Sequence, residues 1–184
     1  MTNTTRRTFL TATAATLATP SLLRANTNSV ERNASGFMAQ SWQDHFDVLD
    51  PVTILCDTNA RAMHYWNPEN GDYRIYPTSV PQTDELTRRG LTSIVRKKHN
   101  PSWTPTPNMR ERDPSLPVHM EGGEPGNPLG TRAMYLSWPA YLIHGTHDTR
   151  KIGRRSSSGC IGLFNYMVEE LYEITPVGAQ VRVL

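Results

Sequence analysis

The residues best suited to chemistry in this chain are His144 and Cys160, which lie sixteen residues apart and each have a glycine beside them. A thiol at its ordinary pKa of about 8.5 is only a few per cent thiolate near neutral pH, so it is a weak nucleophile until a base takes its proton. A nearby imidazole removes that limit. The amides of Gly159 and Cys160 can then face a developing oxyanion, because glycine lets the backbone approach closely. The pair therefore predicts a cysteine nucleophile with a histidine base.

Short structural elements must position these two residues. Residues 134–138 and 140–143 are apolar and aromatic runs separated by Pro139, and they predict two strands with His144 at the exit of the second. Residues 165–172 predict a helix with Asn165 as its N-cap. The apolar face of that helix consists of Met167, Val168, Leu171 and Tyr172. Cys160 would precede the helix, whose positive N-terminus would favour the thiolate if the cysteine loop packs over it.

The rest of the chain predicts a mainly β domain. Residues 52–57 and 61–66 predict a hairpin, 73–77 and 91–97 predict further strands, and 84–90 predict a short helix or a turn. Residues 100–130 are rich in proline and glycine and too long for a plain connection, which is typical of a functional lid or an insertion. We therefore expect many short strands, a short C-terminal helix and a long Pro/Gly-rich loop.

Four separated motifs resemble the YkuD-type L,D-transpeptidases, which are enzymes that cross-link peptidoglycan. The first is His-Gly-Thr at 144–146, followed by Ser-Ser-Gly-Cys-Ile at 157–161 and Leu-Phe-Asn at 163–165. The second is the segment 96–109, where a basic run precedes Pro-Ser-Trp-Thr-Pro-Thr. The others are Gly-Asn-Pro-Leu-Gly at 126–130 and Pro-Val-Gly-Ala-Gln-Val at 176–181. The resemblance covers residues 51–184.

The resemblance implies a β-sandwich-like catalytic fold and acyl transfer through a thioester on Cys160. His144 would donate and accept the proton, and the main-chain carbonyl of Gly145 would orient it. The substrate would be a peptidoglycan tetrapeptide stem, from which D-Ala leaves before an amine of a neighbouring stem completes a 3–3 cross-link. The resemblance implies no cofactor and no metal, and it suggests acylation of Cys160 by carbapenems.

One position departs from the family pattern. The family usually has an arginine two residues after the nucleophile, where this chain has Gly162. A basic run of Arg150, Lys151, Arg154 and Arg155 lies between His144 and Cys160. Its arginines, Arg154 and Arg155 above all, could supply a guanidinium that binds stem-peptide carboxylates bidentately, with a solvated loop as the alternative. Ser158 and Gly159 are candidates for positioning the nucleophile and the oxyanion. Trp103 could line a substrate groove or pack in the core.

Several functions within and outside this chemistry stay open. Water as the acceptor would make the protein an L,D-carboxypeptidase or hydrolase, and a lipoprotein lysine would make it a lipoprotein-attaching enzyme. The loss of arginine at Gly162 also leaves open a catalytically inactive wall-binding module. Sortases likewise place histidine before cysteine, but their Thr-Leu-x-Thr-Cys stretch is absent from this chain.

Length, charge and cysteine content narrow the possible domain organisation and binding partners of the protein. The chain has 184 residues and a net charge of +2, which suits one domain preceded by an N-terminal segment. Acidic residues nearly balance the lysines and arginines, so nucleic acid is not an expected partner. Of the two cysteines, Cys56 lies in a predicted buried strand and is expected to be a core residue. A disulfide between Cys56 and Cys160 is the alternative, and it would block the nucleophile.

The N-terminal residues predict export. Thr-Arg-Arg-Thr-Phe-Leu at 5–10 fits the twin-arginine pattern, and a weakly apolar run follows at 11–23. We expect a signal peptide at 1–25, a linker or N-terminal extension at 26–50, and the catalytic domain at 51–184. We expect the mature protein to lie in the periplasm. No later run is long enough to span a bilayer, so no integral anchor is expected after removal of the signal.

Overall fold

The computed structural model describes residues 38–49 and 52–184. The expected signal peptide and most of the expected linker lie outside the described residues. In chain order the elements are β1 (Thr53–Asp57), β2 (Ala62–Asn67), β3 (Asp72–Pro77), β4 (Val80–Pro81), β5 (Gly90–His99), α1 (Pro107–Arg112), β6 (Arg132–Leu136), β7 (Leu142–His144), β8 (Arg155–Ser157), β9 (Ile161–Gly162), α2 (Asn165–Ile174) and β10 (Gln180–Val183).

A mixed sheet forms the frame of the domain, with the strand order β3-β2-β1-β10-β5-β6-β7-β9. β4 and β8 pair in a separate two-stranded ribbon. The β1–β2 hairpin and the strands expected near β3 and β5 are confirmed. The mainly β class with a short C-terminal helix is likewise confirmed.

The last strand of the chain lies inside the sheet rather than at its edge. β10 runs parallel to β1 and antiparallel to β5, and its alternation buries Val181 and Val183 while Arg182 points to the other face. β10 thereby joins the N-terminal strands to β5, β6, β7 and β9, which carry the candidate site. One cluster of buried apolar residues draws on every strand of this sheet and on α2.

Helix α2 packs on the sheet through the predicted apolar face, with Val168, Leu171 and Tyr172 buried. The expectation that Asn165 caps the helix is wrong, because Phe164 occupies the N-cap position and Asn165 is the first helical residue. The Asn165 side chain instead accepts a hydrogen bond from the Thr131 amide at 3.3 Å. Asn165 therefore ties the start of α2 to the segment before β6.

Lys97 of β5 caps the C-terminal end of α2. Lys97 Nζ donates to the carbonyl of Tyr172 and, at 2.7 Å, to that of Thr175. It also lies 4.1 Å from the centre of the Tyr172 ring. The last carbonyls of a helix lack intrahelical partners and carry partial negative charge, so a cation there stabilises the end of the helix.

The long Pro/Gly-rich loop contains a short helix that the sequence interpretation missed. α1 begins after Thr106, whose hydroxyl accepts from the Met109 amide at 3.3 Å, and Pro107 occupies its first turn. The signal was present, because threonine followed by proline favours a helix start. The backbones of Trp103 and Met120 pair at 2.8 and 2.9 Å and fasten the two sides of this segment. Residues 103–120 are called the lid below.

Two further observations concern the ends of elements. Within the range 84–90 the chain turns at residues 84–87, with Thr87 N donating to Asp84 O at 3.0 Å, and Gly90 begins β5, so the turn alternative holds. Phe46 is buried against Leu55 and Trp66, so the end of the expected linker packs on the domain. No helix in the described ranges is long and apolar enough to cross a membrane.

Candidate active site

A pocket of about 580 Å³ opens where three segments meet. The end of β7 contributes His144, the segment from β8 to β9 contributes Cys160, and the lid covers the opposite side. The pairing of the sheet brings the first two together: β7 and β9 run in parallel, and His144 lies opposite Gly162, two residues past the cysteine. A pair that is sixteen residues apart in sequence thus shares one pocket.

His144 is held as a neutral base. Only 8% of the residue is exposed, and its Nδ1 lies 2.5 Å from the carbonyl oxygen of Gly145. Because a carbonyl only accepts, Nδ1 carries the proton and Nε2 keeps a lone pair. Burial lowers the pKa of His144 to about 4, which the Gly145 carbonyl partly opposes and the positive charge of Lys151 reinforces. The contact with Gly145 is the one that the family resemblance implied.

Gly145 must lack a side chain. A Cβ at this position would lie 2.2 Å from Asn165 Oδ1 and 3.1 Å from Val168 Cγ1. Helix α2 therefore presses directly on the backbone that follows the histidine. This contact fixes the carbonyl that orients the imidazole, which is the role of the third group in a nucleophile–base arrangement.

Cys160 is half-buried, and its thiol is protonated in the resting state. Sγ donates to the carbonyl of Ala140 at 3.5 Å. Burial raises the pKa of the Cys160 thiol to about 11, and a backbone hydrogen bond from Leu142 only partly opposes this. The direction is opposite to the thiolate expected from the helix N-terminus. The resting pair is thus a neutral thiol and a neutral imidazole.

The cysteine loop is fastened by Ser157. Its hydroxyl donates to the Cys160 carbonyl at 2.6 Å and accepts from the Gly159 amide at 3.3 Å. Gly159 has a φ of 136°, and a Cβ there would lie 3.3 Å from Tyr141 Cε1, so glycine suits this position on both grounds. The Cys160 amide has no hydrogen-bond partner within the described ranges, so it is the freer of the two expected oxyanion donors.

The two arginines expected to bind substrate do not line the pocket. Arg155 extends to Asp84 and Asn59, at 3.4 Å from each side-chain oxygen, and Arg154 is exposed elsewhere on the loop. Arg155 pairs with Val80 where β8 lies beside β4, whereas Lys151, earlier in the same segment, lines the pocket.

The guanidinium at the pocket comes instead from Arg112, the last residue of α1. Its Nη2 donates to Ser158 Oγ at 3.1 Å, so the lid touches the nucleophile loop. It has no carboxylate partner in the part of the chain that the structure describes. Sequence reasoning missed Arg112 because it lies 48 positions before Cys160 in a loop without a recognised helix.

Trp103 satisfies both alternatives that its sequence context left open. It lines the pocket and also packs against the buried cluster of Leu129, Ala133 and Leu142. His147 lies on the pocket wall as well, with Nδ1 donating to the Asn127 carbonyl at 3.2 Å.

Among the described residues, no group of three or more histidines, cysteines or acids could hold a metal ion.

The second cysteine is remote from this chemistry. Cys56 lies in β1 within the main core, and burial raises its pKa to about 12. Both Cys56 and Cys160 are free thiols, so the disulfide alternative is wrong and the candidate nucleophile is not blocked.

Comparisons with known proteins agree with this fold. The family model YkuD, L,D-transpeptidase catalytic domain, matches residues 51–183. A putative L,D-transpeptidase encoded in the ATP synthase subunits region of Fuscovulum blasticum is 59% identical over 175 residues, covering 94% of this chain and 91% of that protein. The probable L,D-transpeptidase ErfK/SrfK of Escherichia coli K12 is 37% identical over 136 residues, covering 71% of this chain.

Among solved structures, L,D-transpeptidase 3 from Mycobacterium tuberculosis in complex with a faropenem-derived adduct has a TM-score of 0.55 at 15% identity, covering 72% of this chain. That likeness shows the fold. The chain spans 43% of the length of the E. coli protein and 59% of the M. tuberculosis chain. By its family-model match and its curated relatives, the chain belongs to the YkuD family of L,D-transpeptidase catalytic domains.

Proposed function

We propose that this protein is a cysteine-dependent L,D-transpeptidase that acts on peptidoglycan tetrapeptide stems. The observation that carries the proposal is the shared pocket of Cys160 and His144, in which the Gly145 carbonyl leaves the Nε2 lone pair of the imidazole free to accept a proton. The donor bond is the amide between the L-centre of meso-diaminopimelate and the terminal D-Ala. The product is a 3–3 cross-link.

The neutral resting pair determines how the first step proceeds. Cys160 gives its proton to His144 Nε2 as Sγ attacks the scissile carbonyl, because neither ion is favoured in the buried pair before substrate arrives. The Cys160 amide donates to the oxyanion that forms. The carbon–nitrogen bond then breaks, the leaving D-Ala amine takes the proton from His144, and the enzyme holds a thioester.

The second step reverses this pattern. An amine from a neighbouring stem attacks the thioester, His144 accepts the proton of that amine, and the proton returns to the departing sulfur. The products are the new amide and the free thiol. Water in place of the amine would give hydrolysis, and a lipoprotein lysine would give attachment.

The lining of the pocket suits an anionic peptide. Arg112 and Lys151 contribute positive charge, Asp113 is the acidic residue on the wall, and stem peptides carry several carboxylates. Apolar side chains such as Trp103 and Leu129 line the walls beside these charges. We assign Arg112, rather than Arg154 or Arg155, to the binding of a stem carboxylate.

Acylation of Cys160 by carbapenems belongs to the same proposal. It is supported by two relatives in fold: the L,D-transpeptidase LdtMt1, solved in complex with the carbapenem imipenem, and the M. tuberculosis enzyme, whose structure contains an adduct derived from the related β-lactam faropenem. A strained β-lactam carbonyl presents the pocket with the electrophile that the thiol requires, and ring opening leaves a stable thioester.

The proposed location is the periplasm, after export by the twin-arginine route. The support is the sequence at 5–23. Cell fractionation of the full chain beside an Arg6→Lys/Arg7→Lys variant tests this. Mature protein in the periplasm for the first and retained precursor for the second are the expected results, and equal export of both would refute the twin-arginine route.

The test of the activity is mass spectrometry of the protein incubated with a purified disaccharide-tetrapeptide, beside Cys160→Ala. Dimers at twice the muropeptide mass minus one D-Ala, absent from the variant, would support transpeptidation. Loss of D-Ala without dimers would identify hydrolysis. Unchanged substrate together with an unreactive thiol would leave the wall-binding module as the function.

A further inference from the structure

Ser79 is a pocket residue that no sequence motif marked. It follows β3 and pairs with Gly162 across an isolated antiparallel bridge. Its amide donates to the Gly162 carbonyl at 2.8 Å, and its carbonyl accepts from the Gly162 amide at 3.1 Å. The bridge fixes Ser79 beside the strand that follows the nucleophile.

The hydroxyl of Ser79 is left without a protein partner. Only 4% of the residue is exposed, yet it lines the pocket, and its Oγ makes no hydrogen bond with any residue in the described ranges. Ser79 Oγ is not one of the fully buried polar atoms that lack a partner, so it is accessible from the pocket that Ser79 lines. The Ser79 hydroxyl is therefore free of protein partners and able to interact with a group that becomes charged in the pocket.

The geometry around Gly162 shows where this hydroxyl lies. A Cβ added to Gly162 would lie 2.4 Å from Ser79 Oγ and 3.7 Å from His144 Cε1. The hydroxyl therefore occupies the space that a side chain at position 162 would need, and a side chain in that space would also contact Cε1 of the imidazole. The φ of Gly162 is not in the left-handed region, so the requirement for glycine is one of space alone.

We propose that Ser79 is a positioning residue of the active site, whose hydroxyl oxygen stabilises the imidazolium that forms when His144 takes the proton of Cys160, and that Gly162 lacks a side chain to leave room for it. The proton transfer from Cys160 to His144 in this proposal rests on the proposed function. On this proposal, position 162 holds glycine rather than the arginine usual in the family because the Ser79 oxygen uses the space that a side chain there would need.

The surroundings of His144 explain why a neutral oxygen suits this place. Its strand neighbours in β6 and β9 are Ala133 and Gly162, which carry no charge, and α2 faces this part of the core with apolar side chains. The titratable or charged groups of the shared pocket are Cys160, His147, Lys151, Arg112 and Asp113. Lys151 opposes a positive charge on the ring.

A carboxylate in the place of Ser79 would favour the protonated ring even at rest, and the base would then be lost. A hydroxyl lone pair interacts more weakly. It lowers the free energy of the imidazolium without forming it before the thiol reacts.

The test compares Ser79→Ala, Gly162→Ala and the double variant with the wild type. The first readout is the ¹³C-edited NMR signal of His144 Cε1–H, followed from pH 7 downward in histidine-labelled protein, which needs no substrate. Each single variant should lower the pKa of His144 by roughly half a unit to one unit, the size of one weak polar contact. Ser137→Ala removes a serine hydroxyl that bonds Thr92 outside the pocket, and it should change nothing.

The double variant provides the decisive comparison. Ser79→Ala removes the oxygen and with it the close contact of a methyl group at position 162. The distances of that methyl group to the Ser79 Cβ and to His144 Cε1 are both 3.7 Å, which are ordinary contacts. The double variant should therefore lower the pKa of His144 no more than either single variant. Additive shifts, or an unchanged pKa in Ser79→Ala, would overturn the proposal.

Kinetics supply the second readout. In a stopped-flow assay of Cys160 acylation by a carbapenem, the folded variants should lose about three- to tenfold in the maximal rate with little change in binding, and the acid limb should move to lower pH. Unfolding midpoints measured beside these rates identify any variant that fails to fold. Absence of acylation in the wild type would count against the proposed function alone, because the NMR titration stands without it.

Discussion

The buried histidine makes a quantitative prediction about folding stability. His144 has a native pKa of about 4 against an ordinary value of 6.5. Between these values the unfolded chain binds more protons at this site than the native protein does. Stability contributed by neutral His144 is therefore complete above about pH 6.5 and is lost as the pH falls towards 4.

The size of this loss follows from the same two values. A difference of 2.5 pKa units corresponds to about 3 kcal/mol over the full range, and about 2 kcal/mol of it is lost between pH 7 and pH 4.5. For a chain of this size, that equals a fall in the unfolding midpoint of roughly 4–8 °C. Cys160 adds nothing in this range, because its thiol is protonated in both states.

The assay compares the wild type with His144→Asn, whose amide can still donate to the Gly145 carbonyl. Urea unfolding, followed by tryptophan fluorescence at pH 7 and pH 4.5, gives the free energy of unfolding of each protein. Burial also lowers the pKa of His64, but that residue is present in both proteins, so its contribution cancels in the comparison. The variant should lose about 2 kcal/mol less than the wild type between the two pH values.

The reasoning fails if both proteins lose the same free energy between pH 7 and pH 4.5. That result would mean that native His144 titrates near its ordinary pKa and is paired with an anion. The obvious anion is the Cys160 thiolate, so Cys160→Ala measured in the same way would show whether an ion pair replaces the neutral pair.

Three further predictions concern the thiol, the lid and helix α2. Burial raises the pKa of Cys160 to about 11 from 9.0, so its alkylation by iodoacetamide at pH 7 should be about 100-fold slower than that of an exposed cysteine. The alkylation rate should rise steadily with pH to above pH 9. A plateau of the rate below pH 7 would contradict the neutral pair. Arg112→Ala should raise the KM for the tetrapeptide about tenfold with a smaller effect on kcat, and Arg154→Ala should change neither, so equal effects of the two variants would contradict the assignment of the carboxylate to the lid. Lys97→Met should destabilise the fold by about 1–3 kcal/mol in thermal unfolding, because it leaves the last carbonyls of α2 without a cation. The control Lys98→Met changes an exposed lysine and should have almost no effect. Similar losses of stability in both variants would refute the capping role of Lys97.

Local pattern accounts for most of what the sequence predicted correctly. The β1–β2 hairpin follows from two apolar runs around a polar turn, and the buried face of α2 follows from the helical spacing of Val168, Leu171 and Tyr172. The errors have local causes as well. Asn165 has a strong capping preference, but a tertiary hydrogen bond to the Thr131 amide engages its side chain instead.

The sequence by itself predicted the proposed reacting pair, because a histidine and a cysteine with neighbouring glycines at this spacing are typical of a nucleophile and its base. It also determined the fold class and the family. Only the tertiary structure decided the state and the surroundings of that pair. Burial, which depends on packing between distant segments, makes both Cys160 and His144 neutral at rest. Contacts between residues far apart in the chain put Arg112 on Ser158 and the Ser79 hydroxyl in the space left by Gly162, and no local pattern encodes such contacts.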